Sequence, residues 1–118
     1  MKENCSTGTN WDGKEYDGEC KLEFEGFFSN RKKKRGKEYD YNGKFIEEVE
    51  YLSEKGDKKV KEYYYDGKLK FYGKYLNYKM WDGIGYNQNG EKAFEIKEGK
   101  GKGKEYDYNG ELIFHGNI

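Results

Sequence analysis

One pattern returns about every 23 residues along this chain of 118 residues, and few folds are compatible with so short a period. A tyrosine marks the pattern at five positions, with spacings of 23, 24, 23 and 20 residues: Tyr16, Tyr39, Tyr63, Tyr86 and Tyr106. A glycine follows this tyrosine after four residues in every copy but the first, and a phenylalanine follows it after eight residues in every copy but the second. Because several columns share one phase, the sequence predicts an array of five similar units.

Each unit contains the pattern of a β-strand. From Leu69 to Tyr75, apolar residues or glycines alternate with polar residues or tyrosines, which is the period of a half-buried strand. The same alternation returns from Leu112 to Ile118. Glycine accounts for 17 of the 118 residues, and each glycine costs about 1 kcal/mol inside a helix, so we expect strands.

Paired turn residues separate the strands. Asp66-Gly67 is typical of a β-hairpin turn, and Asn-Gly pairs take the same place in other units. A three-residue loop over 65–67, with its glycine in the left-handed conformation, pairs Tyr63 with Leu69 and puts both on the face of Phe71. We expect this loop because a two-residue loop would place the tyrosine opposite a charged side chain.

These units predict an all-β fold, an elongated single-layer antiparallel sheet of consecutive β-hairpins. A lone hairpin is marginal in water, whereas stacked hairpins cover one another's rings. Up to ten strands at a spacing of about 4.8 Å would span roughly 50 Å. A glycine column at Gly26, Gly73 and Gly116 leaves room for neighbouring rings. We expect one repeat domain over residues 11–118, after a flexible N-terminus over residues 1–10.

Composition and charge restrict the possible partners and location. The net charge is zero, from 23 basic and 23 acidic residues, which argues against general nucleic-acid binding. The first ten residues carry no apolar signal-peptide core, and no apolar run is long enough to cross a membrane. Two cysteines, Cys5 and Cys20, do not make a disulfide framework. The sequence therefore predicts a cytoplasmic protein with reduced thiols.

Two segments of the pattern resemble the MORN (membrane occupation and recognition nexus) repeat. Phe71–Asn77 and Phe24–Asn30 are similar to its first segment, and Gly83–Tyr86 and Gly101–Tyr106 are similar to its second. The resemblance covers residues 11–118 and implies a non-enzymatic scaffold that mediates protein–protein interaction or self-association. It leaves two alternatives open: peripheral binding to anionic membranes such as phosphoinositide surfaces, and an antitoxin-like role known for bacterial proteins with such repeats.

The chain departs from that pattern in its second and fourth units, which we expect to be the irregular parts of the sheet. Val49 and Val60 replace glycines, and the fourth unit loses about three residues before the fifth. Glu47 stands where phenylalanine is expected, and its phase points it inward. Glu47 marks either a bulge or another irregularity of the sheet, or a polar pocket. The chain ends at Ile118 within the last predicted strand, so the sequence predicts an open sheet edge that invites pairing with another chain.

The sequence contains no convincing catalytic set. Its one histidine, His115, lies on the polar phase of the last strand, far from Cys20 in the first hairpin. Two cysteines and one histidine fall short of a zinc site. We therefore expect no enzyme activity, no cofactor, no metal and no small-molecule substrate.

Two groups of residues are candidates for binding. The basic run Arg31, Lys32, Lys33, Lys34 and Arg35, expected in a loop between units, is the candidate contact for anionic lipid. Aromatic residues at turns and linkers are the candidate contacts for a protein partner: Trp11, Tyr41, Tyr65, Trp81 and Tyr108.

The octapeptide GKEYDYNG occurs twice, as Gly36–Gly43 and Gly103–Gly110. We expect Tyr39 and Tyr106 to be inward rings, and the second tyrosine of each copy to begin a turn. If the octapeptide has a binding role, it should therefore lie with those two turn tyrosines.

Overall fold

The computed structural model describes residues 8–9 and 13–118, and these residues form one antiparallel β-sheet. Its eleven strands follow one another in chain order: β1 Gly8–Thr9, β2 Lys14–Tyr16, β3 Leu22–Ser29, β4 Lys32–Tyr39, β5 Phe45–Tyr51, β6 Lys58–Tyr63, β7 Leu69–Leu76, β8 Lys79–Tyr86, β9 Lys92–Lys97, β10 Lys100–Tyr106 and β11 Leu112–Asn117. The longest dimension of the molecule is 46 Å. The predicted sheet of consecutive hairpins is therefore confirmed. Within the segment expected to be flexible, Gly8–Thr9 pairs with β2.

The turns at one end of the sheet, called the near turns, share one three-residue design. They join β2 to β3, β4 to β5, β6 to β7, β8 to β9 and β10 to β11. In the turn between β4 and β5, Asp40 N–H donates to the Lys44 carbonyl (2.9 Å), and Gly43 N–H donates back to the Asp40 carbonyl (2.8 Å). Gly43 has a φ of 81°, which glycine adopts without steric cost. Between β6 and β7 the same geometry pairs Tyr63 with Leu69, as predicted.

The turns at the opposite end, called the far turns, are mostly shorter. Asn30-Arg31, Asn77-Tyr78 and Glu98-Gly99 are two-residue loops in which both residues have positive φ. This conformation matches the twist of the flanking strands. The connection between β5 and β6 is longer and spans residues 52–57. The chain therefore alternates between two kinds of turn, and the period of 23 residues contains one of each.

A β-bulge beside each near turn changes which side chains reach the core. Glu62 pairs with Phe71 while Tyr63 pairs with Leu69, so Lys70 is an extra residue in β7. Glu62 is 5% exposed and shares the core face with Val60 and Phe71. Tyr63 instead contacts Phe45, at a ring distance of 5.2 Å.

The prediction that the repeated tyrosines point inward is therefore wrong. Tyr39 lies on the opposite side of the sheet, called the outer face, where its hydroxyl donates to Glu25 (3.5 Å). Tyr106 takes the same bulged register position opposite Leu112, and its ring is half-buried outside the core cluster. The prediction assumed that side chains alternate without interruption. A single extra residue at the bulge reverses the face of the sheet to which the following side chains point.

The core lies on one face and consists of Phe24, Val49, Val60, Phe71, Phe94 and Ile96. In β3 the Phe24 ring covers the paired glycines Gly26 and Gly36, where an added Cβ on Gly36 would lie 2.7 Å from the Gly26 Cα and 2.8 Å from the ring. In the irregular second unit Val49 pairs directly with Val60, beside Glu47. The two valines therefore fill the volume that a phenylalanine ring occupies elsewhere, so the three departures from the repeat compensate one another.

The fourth unit is shorter for an identifiable reason. The pairs β3–β4 and β7–β8 each contain a further bulge near the far turn, at Lys34 and Trp81, whereas β9 and β10 pair without a register shift. Counted from the phenylalanine to the far turn, β9 is two residues shorter than β7, and β10 lacks the bulge residue of β8. Phe94 therefore pairs with Gly103, whereas Phe71 pairs with Gly85. The predicted irregularity of the fourth unit is confirmed, and the sheet continues through it.

Cys20 is disulfide-bonded, which departs from the expectation of reduced thiols. It closes the first near turn with a φ of 66°, in the column that glycine fills in the other units. In the described part of the chain there is no helix long and apolar enough to cross a membrane.

Candidate functional site

Three carboxylates stand side by side on the core face. Glu38, Glu47 and Glu62, called the acid row, are cross-strand neighbours on β4, β5 and β6. Glu47 is 7% exposed and Glu62 is 5% exposed. Like charges placed directly opposite each other are destabilising, so this row requires compensating partners.

Lysines and tyrosines of the core face supply those partners. Lys58 Nζ lies 3.2 Å from Glu47 Oε2, and the Tyr75 hydroxyl donates to Glu62 Oε2 at 2.6 Å. Lys33 Nζ lies 3.5 Å from Glu38 Oε2, and the Tyr51 hydroxyl also donates to Glu38. These contacts satisfy the buried carboxylates through charge and hydrogen bonding.

The pKa shifts in and around the acid row come from burial and from neighbouring charges, which indicates a structural role for these carboxylates. Burial raises the pKa of the Glu47 carboxyl, Lys58 opposes this shift, and the neighbouring Glu62 adds to it. Burial and then the charge of Glu62 raise the pKa of the Tyr75 hydroxyl. In the described residues no group of histidine, cysteine, aspartate or glutamate side chains has the arrangement of a metal site. Both expectations for Glu47 hold: a bulge falls on the adjacent Ile46, and the Glu47 carboxylate lies in a polar environment with Lys58.

The near turns of the third and fifth units are joined to each other. Tyr65 N–H donates to the Tyr108 carbonyl (2.9 Å), and the two rings stack at 5.6 Å. The Tyr65 hydroxyl donates to Asp40 Oδ2 at 2.5 Å, and this hydrogen bond raises the pKa of the Tyr65 hydroxyl. Lys70 Nζ lies 5.1 Å from the centre of the Tyr108 ring. This arrangement, called the turn clasp, draws the near-turn end of the sheet together over the acid row.

The predicted partner contacts are therefore not equivalent. Tyr41 is 77% exposed, whereas Tyr65 and Tyr108 are half-buried against each other in the turn clasp. Trp81 is half-buried at its bulge, where its carbonyl accepts the Gly99 N–H (2.9 Å). Trp11 lies outside the described residues. Of the four candidates that the structure describes, Tyr65 and Tyr108 are brought together.

The basic run is a strand and not a loop, which corrects the predicted placement. Only Arg31 belongs to the far turn, and Lys32–Tyr39 is β4. Lys32 pairs with Glu54. Lys33 points to the core face, where Nζ lies 3.2 Å from Glu15 and 5.0 Å from the centre of the Phe24 ring. Strand alternation and the bulge at Lys34 separate the cations of β4, so that Lys33 faces the core and Arg35 faces the outer side.

The outer face carries a surface that the sequence did not indicate. A shallow trough of about 580 Å³ crosses the middle of the sheet from Phe27 on β3 to Tyr72 on β7. Phe27 is 52% exposed and Tyr72 is 57% exposed. Between the two rings, the charged residues Arg35, Lys37, Glu48, Glu50, Lys59 and Lys61 line the trough.

The cations of the trough contact rings. The Arg35 guanidinium lies 4.9 Å from the centre of the Phe27 ring, and Lys61 Nζ lies 5.4 Å from the centre of the Tyr72 ring. Such contacts are worth about 0.5–1 kcal/mol at exposed sites, and they hold both partners in place. The trough is therefore ordered by its own side chains.

Lysine and glutamate alternate across the strands of this face. Lys37 pairs with Glu48, and Glu48 pairs in turn with Lys61. Phe27 and Tyr72 were not among the predicted contacts for a protein partner, because strand alternation alone does not distinguish an exposed aromatic residue from any other residue on the polar face. The sequence signal that could have identified them is their polar-phase position beside a cation on the next strand.

Comparisons of this chain with family models, with curated proteins and with solved structures return no match.

Proposed function

We propose that this protein is a non-enzymatic module of the MORN-repeat kind that binds a protein partner through the trough. The observation that carries the proposal is the pair of exposed rings, Phe27 and Tyr72, held at the two ends of the trough. Aromatic rings bury a large area at little cost in conformational entropy, and they are frequent anchors of protein interfaces. A sheet fixed by backbone hydrogen bonds presents both rings without prior ordering.

The outer face suits this role better than the core face does. The largest fully buried side chains, Tyr64, Phe24, Phe71 and Ile96, all belong to the core side. The Tyr64 hydroxyl donates to the Tyr86 carbonyl (2.5 Å), and burial raises the pKa of Tyr64 to about 12. The core side is thus mostly occupied by the protein itself, with Phe114 of the edge strand β11 at 41% exposed, whereas Phe27 and Tyr72 on the outer side are 52% and 57% exposed.

Membrane binding through residues 31–35 is the weaker alternative. Lys33 is engaged with two carboxylates and Lys32 with one, so the run does not present five cations on one surface. No feature of the fold favours the antitoxin-like alternative. The cytoplasmic location stays a prediction.

The test is site-specific photo-crosslinking in the native cell. A photoreactive phenylalanine analogue is placed at Phe27 or at Tyr72, and matched controls carry it at Tyr41 or Tyr78, which are 77% and 76% exposed. We expect one partner protein to be crosslinked from both trough positions and from neither control. Its binding to the purified protein should be lost in the Phe27→Ala/Tyr72→Ala variant and kept in Tyr41→Ala/Tyr78→Ala. Equal crosslinking from trough and control positions would refute the proposal.

A further inference from the structure

We propose that the trough takes an acidic polypeptide segment in the polyproline II conformation, with a carboxylate at every third residue. The inference rests on the function proposed above and gives the chemistry of its partner. It follows from the charge of the trough, from the spacing of its cations and from the position of its two rings.

The charge of the trough is positive although the chain as a whole is neutral. Four cations, Arg35, Lys37, Lys59 and Lys61, line it with two carboxylates, Glu48 and Glu50, which leaves a net charge of +2. Among the described residues, none of these four cations makes an ion pair. The cations therefore remain available to an anionic partner.

The order of these charges across the sheet is positive, negative, positive. Glu50 pairs with Arg35 on β4 and with Lys59 on β6. Glu48 pairs in the same way with Lys37 and Lys61. A segment that crosses the strands therefore meets a cation, then a carboxylate, then a second cation. A matching partner has its own carboxylates over β4 and β6, with uncharged residues between them.

The distance between the cations selects the conformation of that segment. Strands β4 and β6 are two strand spacings apart, or about 9.6 Å. A polyproline II helix rises about 3.1 Å per residue with three residues per turn, so every third side chain returns to the same side after about 9.3 Å. In an extended β-strand, residues three apart point to opposite faces. Only the polyproline II segment therefore aims successive third-residue carboxylates at both cation rows.

The rings at the ends of the trough fit the same segment. Phe27 and Tyr72 lie on strands four spacings apart, or about 19 Å, which is close to six residues of polyproline II. Aromatic-lined grooves are the usual sites for such segments, because their preformed conformation loses little entropy on binding. The two rings would hold the apolar residues at the ends, and the cations would hold the carboxylates between.

Fluorescence anisotropy with a labelled dodecapeptide of repeat Pro-Pro-Glu tests the inference. Matched probes have the repeat Pro-Pro-Gln, or the same composition with the four glutamates placed together. We expect saturable binding of the Pro-Pro-Glu probe only, and its affinity should fall as salt is raised. Equal binding of the glutamine probe would overturn the charge argument, and equal binding of the rearranged probe would overturn the spacing argument.

Variants locate the binding. Lys59→Glu/Lys61→Glu should raise the Kd of the Pro-Pro-Glu probe by about tenfold or more, on the basis of exposed charge pairs. The control Lys102→Glu/Lys104→Glu reverses two exposed lysines of β10, and it should change Kd by less than about twofold. Similar urea midpoints for both variants would show that each is folded. Equal losses in the two variants would overturn the site.

The two proposals fail in different ways. If the probe does not bind while photo-crosslinking at Phe27 and Tyr72 still captures one partner, the acidic polyproline chemistry is wrong and the protein-binding function stands. If neither the probe nor a partner is bound at the trough, both proposals are wrong.

Discussion

Replacing Lys58 by methionine tests the interpretation of the acid row most directly. Lys58 Nζ is 3.2 Å from Glu47 Oε2, and the two side chains are 23% and 9% exposed. Lys58→Met keeps the length of the side chain and removes its charge, so Glu47 is left as a buried carboxylate without its cation. The neighbouring carboxylate of Glu62 then opposes ionisation of Glu47 without the compensating charge of Lys58.

The expected loss of unfolding free energy in Lys58→Met lies between two limits. Removing one partner of a fully buried ion pair costs about 3–5 kcal/mol, and a hydrogen bond to a charged group contributes about 1.5–3 kcal/mol. Because Lys58 is partly exposed, water replaces some of the lost interaction. We therefore expect Lys58→Met to lower the free energy of unfolding by about 2 kcal/mol at neutral pH.

The stability lost in Lys58→Met should increase with pH. The pKa of Glu47 is raised in the folded protein, so the folded state binds more protons than the unfolded state between the two pKa values. Stability therefore falls as pH rises through that window. Lys58 holds the folded pKa down, so Lys58→Met widens the window. The difference between wild type and variant should be largest near pH 8 and should shrink as pH falls toward the unfolded pKa of about 4.3.

Urea unfolding at pH 5 and at pH 8 measures these differences. The matched control is Lys59→Met, since Lys59 is exposed and adjacent, and it should change stability by less than about 0.5 kcal/mol. In a Glu47→Gln background, Lys58→Met should lose most of its cost and its pH dependence. Equal costs for the two lysines, or a Lys58→Met cost that is the same at both pH values, would refute the reasoning.

Two further predictions concern the repeat itself. Gly36→Ala should lower the free energy of unfolding by more than about 3 kcal/mol, because the added Cβ would press on backbone atoms and on the Phe24 ring. Gly43 has open space around it and a φ of 81°, so Gly43→Ala should cost about 1 kcal/mol. Urea unfolding measures both costs. Asp40→Ala and Asp107→Ala remove equivalent turn carboxylates, each of which accepts two backbone N–H groups. Asp40→Ala should cost about 1 kcal/mol more, because Asp40 also accepts the Tyr65 hydroxyl, and equal costs would contradict the turn clasp.

The parts of the fold that depend on local chemistry were predictable from the sequence. Turn residues fixed the three-residue loop and the pairing of Tyr63 with Leu69, and strand alternation indicated the all-β class. Glu47 was correctly expected to point inward. These features depend on a few neighbouring residues, whose conformational preferences are strong.

The parts that depend on register and curvature were not predictable. A bulge has no distinctive sequence here, since the extra residue is Lys70 in one unit and Ile46 in another, yet it moved Tyr39 to the outer face. The turn clasp depends on the curl of the whole sheet, which brings Tyr65 to Tyr108 across an intervening hairpin. The trough depends on the pairing of five strands, and no single segment contains its pattern.

The compensation between Glu47, Val49 and Val60 has a consequence for building longer arrays from this chain. A unit in which a phenylalanine covers paired glycines, such as the one around Phe71, can place this ring–glycine fit within two adjacent strands, with the stacking of Phe71 on Phe94 as its contact to the next unit. The unit of Glu47 cannot, because its carboxylate needs partners that three successive strands supply. The sheet therefore contains one unit, that of Glu47, whose packing depends on three successive strands. Any graft or deletion that separates β4, β5 and β6 should fail to fold.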